Sequence, residues 1–225
     1  MSGQRIRVMV VDDHVVVREG YRRLLEKQPD IEVVAEAEDA ASAYTGYRSS
    51  KPDIVIMDIS MPGRGGIDAI RQIRQLDPEA RILVFSMHAT ASYAVQAIRA
   101  GARGYITKSS ASELLVAAVR DVSKNKLTLC PEIAEVLATS RLEDDAHVLD
   151  QLSPREFEVL RMIIDAKSTE QIAAAFNLTP KTVANYHYAI KSKLNVTSDI
   201  DLVYFCMRQG VFTSVAGTPR CSSIC

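Results

Sequence analysis

Short apolar runs alternate with amphipathic stretches five times along the first half of the chain. Residues 6–11, 31–35, 54–57, 82–85 and 104–106 are apolar at nearly every position, the pattern of strands buried on both faces. Between and after them, residues 15–27, 40–47, 92–100 and 111–122 carry apolar positions at helical spacing, and Ile67, Ile70, Ile73 and Leu76 share one face of a further helix. Strands of this kind separated by amphipathic helices predict an α/β doubly wound (βα)5 domain, a parallel sheet covered on both faces, over residues 1–125.

The rhythm then changes. Residues 126–150 read as a linker, with a short helical possibility at 131–142 and an acidic stretch at Glu143, Asp144 and Asp145. Beyond it lie only helices, each with its own start signal. Ser153-Pro154-Arg155-Glu156 has the form of a capping box with proline at the first helical position, and Ser168 with Gln171 repeats the logic. Thr179-Pro180 opens a third helix, and Ser198 with Asp201 a fourth that ends at Gly210. Such short helices must pack on one another, through Leu160, Ile163, Ile172, Phe176, Leu178, Val183, Ile190, Leu194 and Leu202. The prediction is a second, smaller all-α domain over 151–212, followed by a Ser-, Thr- and Gly-rich tail, 213–225, expected to be disordered.

Chemistry enters where the strands end. Asp12 and Asp13, Asp58, Ser86 and Lys108 each follow an apolar run at once or within two residues. In an open parallel sheet the carboxyl ends of the strands share one edge, so these distant residues converge on one crevice. Carboxylates that close repel one another unless a cation joins them, which points to a magnesium-assisted phosphoryl-acceptor site.

Composition narrows the setting. The chain has 225 residues, of which 47% are hydrophobic, and a formal net charge of −1. No segment is long and apolar enough for a membrane span and the start is wrong for a secretory signal, so the expected location is cytoplasmic, with no membrane partner. Cys130, Cys206, Cys221 and Cys225 lack the paired spacing of a zinc site and are read as structural or incidental.

The overall charge hides a division. Residues 1–140 carry 18 basic and 18 acidic side chains, 141–150 carry 1 and 4, and 151–225 carry 8 and 6. The last part is mildly basic, and 177–198 contains lysines and no acid. There, 171–176, the connection at Asn177-Leu178, and 180–193 form a helix-turn-helix pattern. Away from the Val183 and Ile190 stripe, its second helix presents Lys181, Ala184, Asn185 and Tyr188. Thr179, Thr182 and the free amides of the helix start suit phosphate, and Lys191 and Lys193 add charge along a DNA backbone.

At this point the residues resemble a known family. Val10-Val11-Asp12-Asp13-His14, the run from Asp58 to Gly66, Val84-Phe85-Ser86 and Gly104-Tyr105-Ile106-Thr107-Lys108 are similar to a response-regulator receiver domain. Leu152 to Glu156, Thr182-Val183 and Lys193-Leu194-Asn195-Val196 resemble a LuxR-type DNA-binding domain, and together they match the NarL/FixJ class of two-component transcription factors.

The resemblance implies that Asp58 accepts a phosphoryl group from a sensor histidine kinase. It further implies that Asp13 and Asp58 ligate Mg2+ directly, Asp12 through water, and the Ser60 carbonyl completes the set. Lys108 then pairs with phosphoryl oxygens, Ser86 bonds one of them, and Tyr105 stands where the family places a rotamer switch. The output is binding of double-stranded promoter DNA as a homodimer formed on phosphorylation, with the helix over 199–209 a candidate pairing surface. Asn185, His187 and Tyr188 are candidates for base or groove contacts. Ala166 replaces a common glycine, Glu170 a position often basic, Ala184 a common lysine and Tyr186 a common histidine.

The expected role is therefore a phosphoacceptor with at most slow self-dephosphorylation, not an enzyme. Two competing classes stay open at this level. A magnesium-dependent phosphohydrolase would also form an aspartyl-phosphate on Asp58, and the helical module could bind a protein or RNA instead of DNA. Tyr105 alone reads as a packed aromatic, and His14 as a surface loop histidine.

Overall fold

The computed structural model describes residues 5–140 and 148–209. The expectations for Glu143 to Asp145, Gly210, Cys221, Cys225 and the tail 213–225 lie outside the described residues. Strands β1 (Ile6–Val11), β2 (Ile31–Ala37), β3 (Ile54–Met57), β4 (Ile82–Ser86) and β5 (Gly104–Thr107) pair in parallel in the order β2-β1-β3-β4-β5. The helices between them are α1 (Val15–Glu26), α2 (Ala40–Ser50), α3 (Gly65–Leu76), α4 (Ala91–Ala100) and α5 (Ser112–Ser123). The chain leaves β1 toward β2 on one side and returns to place β3 on the other. This reversal opens a crevice at the carboxyl ends of β1 and β3.

One feature departs from the five-strand expectation. A sixth strand, β6 (Thr128–Leu129), pairs in parallel with β5 through Gly104 and Tyr105, and α6 (Pro131–Ser140) follows at once. Both fall within the stretch read as linker. Two residues are too few to show a period, so β6 was invisible in the pattern. The core is the expected one: β1, β3 and β4 are buried along nearly their whole length because helices cover both faces.

The second unit begins with a single 3-10 turn, Leu149–Gln151, and contains α7 (Pro154–Ile164), α8 (Thr169–Phe176), α9 (Pro180–Lys193) and α10 (Asp199–Arg208). Ser153, Ser168 and Ser198 each form the reciprocal cap their spacing announced, to Glu156, Gln171 and Asp201. Leu160, Ile172, Phe176, Val183, Ile190, Leu194 and Leu202 are buried, with Ile163 and Leu178 packed at the edge. Ala166 takes φ +55, in the left-handed region that favours glycine.

The two units touch. Tyr93 of α4 meets Phe157 of α7 edge to face, with ring centroids 5.0 Å apart. The Gln96 amide donates to the carbonyls of Leu149 and Leu152 at 3.3 and 3.0 Å, and Arg155 pairs with buried Asp68 of α3 at 3.0 Å. Sequence periodicity carried no signal for this docking, since each residue looks like an ordinary helix-surface position until its partner from the other unit is known.

Candidate functional site: an acidic crevice and a helix-turn-helix

The crevice collects the strand-end residues as expected. Asp12 follows β1, Asp58 follows β3, Ser86 ends β4, and Lys108 follows β5. Asp12 and Asp58 are each 2% exposed, and Lys108 Nζ stands 2.7 Å from Oδ2 of both. Each remaining oxygen takes a backbone amide. His14 N donates to Asp12 Oδ1 and Ser60 N to Asp58 Oδ1, both at 2.9 Å.

Burial works to lower the Lys108 pKa, but Asp58 and Asp12 outweigh it and hold the ammonium above its ordinary value. The lysine therefore stays charged, and two buried carboxylates tolerate each other because it bridges them.

Ligand atoms of Asp12, Asp13, His14 and Asp58 all lie within 4.8 Å of one another. Asp13 Oδ1 is buried without a hydrogen bond, with the ring nitrogen of exposed His14 at 3.0 Å. An oxygen-rich cluster containing such an uncommitted carboxylate oxygen fits a hard divalent cation.

The β4 end connects to the surface. Ser86 is fully buried, and its Oγ accepts from His88 N at 3.2 Å. Tyr105 is also fully buried, and its hydroxyl donates to the His88 carbonyl at 2.8 Å. Burial pushes the Tyr105 hydroxyl pKa up and the His88 imidazole pKa down, so both are neutral near pH 7. The His88 ring stacks on Tyr93, the residue that meets Phe157 of the helical unit. Ser86, His88, Tyr93 and Phe157 thus form a contiguous packed path out of the crevice.

In the helical unit, α9 presents Lys181, Ala184, Asn185 and Tyr188 as exposed residues on its outer face. Thr179 caps the helix by accepting from Thr182 N at 3.1 Å, and the two hydroxyls lie 2.9 Å apart. The other basic candidates are engaged within the unit. Lys193 Nζ is 2.7 Å from Glu156, while Lys191 Nζ and His187 Nε2 lie 3.0 and 2.9 Å from Asp199. The run 177–198 is free of acid in sequence, but the fold brings acids to it from α7 and α10. Lys181, by contrast, stands exposed on α9 with no acidic side chain paired to it among the described residues.

Sequence reasoning missed the residues that join the units: Arg64, Asp68, Gln96, Arg155, Glu158 and Arg161. The pair Gly65-Gly66 was the available signal, since adjacent glycines at a helix start mark a close approach. A Cβ on Gly66 would lie 2.1 Å from the Asp58 carbonyl oxygen, and one on Gly65 2.5 Å from the Glu158 carboxylate.

Fold and site define a class: an α/β domain with an acidic crevice at the carboxyl edge of its sheet, joined to a helix-turn-helix module. Residues 8–120 match the model of the response regulator receiver domain, and 150–206 that of the bacterial regulatory proteins of the luxR family. The chain belongs to these two-domain response regulators, phosphorylation-activated DNA-binding regulators of transcription.

The response regulator UvrY of Escherichia coli K12 is 36% identical over 92% of this chain and 95% of its own length. A two-component response regulator of the LuxR family from Aurantimonas is 51% identical, with TM-score 0.61, over 62% of this chain and 100% of that one. RcsB from Salmonella enterica serovar Typhimurium, solved bound to the rprA promoter with phosphomimetic BeF3−, is 25% identical with TM-score 0.71, over 90% and 98% of the two chains. Among the described residues no helix is long and apolar enough to cross a membrane.

Proposed function

We propose that a sensor histidine kinase transfers a phosphoryl group to Asp58 in the cytoplasm, and that the phosphorylated chain pairs with a second copy and binds double-stranded promoter DNA. The observation that carries this reading is the convergence of Asp12, Asp13, Asp58 and Lys108 at the end of a sheet whose neighbouring unit exposes a helix-turn-helix face. The Salmonella RcsB complex, bound to a promoter with a phosphoryl mimic, supports the order of events.

In the reaction a phosphoryl group leaves an imidazole nitrogen of the donor and a P–O bond forms to an Asp58 oxygen. Asp13, Asp58 and the Ser60 carbonyl would hold Mg2+, with Asp12 acting through water. The ion supplies charge neutralisation for the phosphoryl oxygens. Lys108 already contacts Asp58 and needs no long movement to pair with a phosphoryl oxygen. Ser86 supplies a hydroxyl to another, and giving up its bond from His88 N disturbs the loop that Tyr105 and Tyr93 hold. Thr179, Lys181, Thr182 and the α9 amides contact DNA phosphates, with Ala184, Asn185 and Tyr188 facing base edges.

The chain is an acceptor rather than a turnover catalyst, with at most slow self-dephosphorylation. Incubation with a phosphodonor and Mg2+ tests both parts: one phosphoryl group per chain, released by alkali and by hydroxylamine as an acyl phosphate is, is expected, and it is lost in Asp58→Asn. Continuous release of phosphate at many cycles per second would replace the acceptor reading with a hydrolase.

A further inference from the structure

The crevice and the helical unit meet at one short segment. Residues 59–66 carry the chain from Asp58 into α3, and the helical unit holds that segment at three points. Arg161 of α7 donates to the Gly63 carbonyl at 2.9 Å, and Arg64 donates to the Ala175 carbonyl of α8. The third point is Glu158 of α7, whose carboxylate lies against Gly65 at the start of α3.

Glu158 is an unusual residue to find there. It is 1% exposed, its Oε2 pairs with Arg161 at 2.9 Å, and its Oε1 has no hydrogen-bond partner. Burial drives its pKa up, with the Arg161 guanidinium acting against the rise. The start of α3 has no side-chain cap from its own N-cap residue, Arg64. A carboxylate facing the first amides of an uncapped helix complements the helix dipole, and here it arrives from another domain. Gly65 takes φ +67 and leaves the space that the carboxylate fills. Gly66 then presses on the Asp58 backbone, with its amide 3.4 Å from the Ile59 carbonyl. Glu158 is thus linked to the acceptor by two consecutive glycine contacts.

We propose that Glu158 is a positioning residue for phosphoryl acceptance: it caps α3 from the DNA-binding domain and holds the 59–66 segment in the docked, less receptive arrangement. The inference rests on the acceptor reading above. Phosphorylation adds about −1.5 to −2 charges to the head of this segment. A buried carboxylate with one oxygen unpaired, and with Asp68 close enough to raise its pKa further, is poorly placed to accept more negative potential. The phosphoryl group therefore weakens the α7 contact. Reciprocity requires that weakening the α7 contact favours acceptance by the same factor.

The full chain with acetyl phosphate and Mg2+ tests this. Glu158→Gln keeps the shape of the side chain and removes its charge, and Arg64→Ala removes a second hold from a half-buried position. Each is expected to speed labelling of Asp58 by about five- to tenfold, within the usual range of coupling between sites. Hydrogen exchange should rise at the amides of 63–67 in the same variants, and at α7 in the wild-type chain with beryllofluoride. Unchanged labelling in both folded variants overturns the proposal. So does faster labelling with exchange at 63–67 held at the wild-type level, since the gain would then not come from release of that segment. A wild-type chain that takes no label removes the acceptor reading itself, and the inference falls with it.

Discussion

Lys108 Nζ lies 2.7 Å from Asp58 Oδ2 and equally far from Asp12 Oδ2, although the partners are 50 and 96 positions away in sequence. One ammonium compensates two buried carboxylates, while Asp13 beside them adds a third. Local charge is therefore in excess of what the protein itself neutralises. Asp58→Asn relieves that excess. The variant is expected to lose labelling by phosphodonor and to gain about 1 kcal/mol of stability, because a strained buried charge is replaced by a neutral isostere. Thermal melts beside the labelling assay check both halves, and a large loss of stability would mean that the three carboxylates are better balanced than the geometry suggests.

The same excess predicts a metal effect. Mg2+ should stabilise the chain by an amount that grows with concentration, reaching about 2.7 kcal/mol at a hundred times its dissociation constant. Asp13→Asn removes the carboxylate whose Oδ1 is uncommitted, so most of the gain should vanish while stability in EDTA is nearly unchanged. Melts of both proteins across a Mg2+ series provide the measurement.

How much of this was legible beforehand follows from the range of each interaction. Strand-end chemistry was readable because topology alone brings Asp12, Asp58, Ser86 and Lys108 to one edge, whatever the side chains do next. Helix starts in the second unit were readable because a capping box spans only four residues. The assignment of Lys191 and Lys193 to DNA phosphates used the acid-free run around them, and Asp199 and Glu156 arrive from outside that run. The domain contact was hidden for the same reason. Glu158, Arg161 and Gln96 acquire meaning only from partners on the other unit, and β6 is too short to carry a period.

Ala166 offers a test confined to local strain. It turns the chain between α7 and α8 at φ +55, and the following Lys167 amide bonds back to the Met162 carbonyl. That geometry is a helix-ending turn that glycine adopts at low cost, whereas an L side chain loses about 1–2 kcal/mol there. Glycine gives back roughly half of that gain through its freer unfolded state. Ala166→Gly should therefore raise stability by about 0.5–1 kcal/mol, read from denaturant midpoints, with no change in Asp58 labelling.

The lysines of α9 divide by partner, and their substitutions should divide in the same way. Lys181 stands exposed at the first turn, where a recognition helix meets DNA phosphates. Lys181→Ala is expected to weaken binding to any duplex to a similar degree and to reduce the salt slope by about one unit. Lys193 instead sits 2.7 Å from Glu156, 37 positions earlier, and helps hold that carboxyl below its usual range against the upward push of burial. A carboxyl with a depressed pKa contributes stability above its unfolded value and loses it as pH falls through the folded one. Lys193→Ala should therefore cost the helical unit about 0.5–1 kcal/mol near neutral pH, with the difference from wild type fading in acid as Glu156 protonates. Its salt slope on DNA should stay at the wild-type value. Gel-shift titrations at several salt concentrations, paired with melts between pH 3 and 7, separate the two roles. A slope reduced equally by both substitutions would return Lys193 to the DNA interface and require its contact with Glu156 to break on binding.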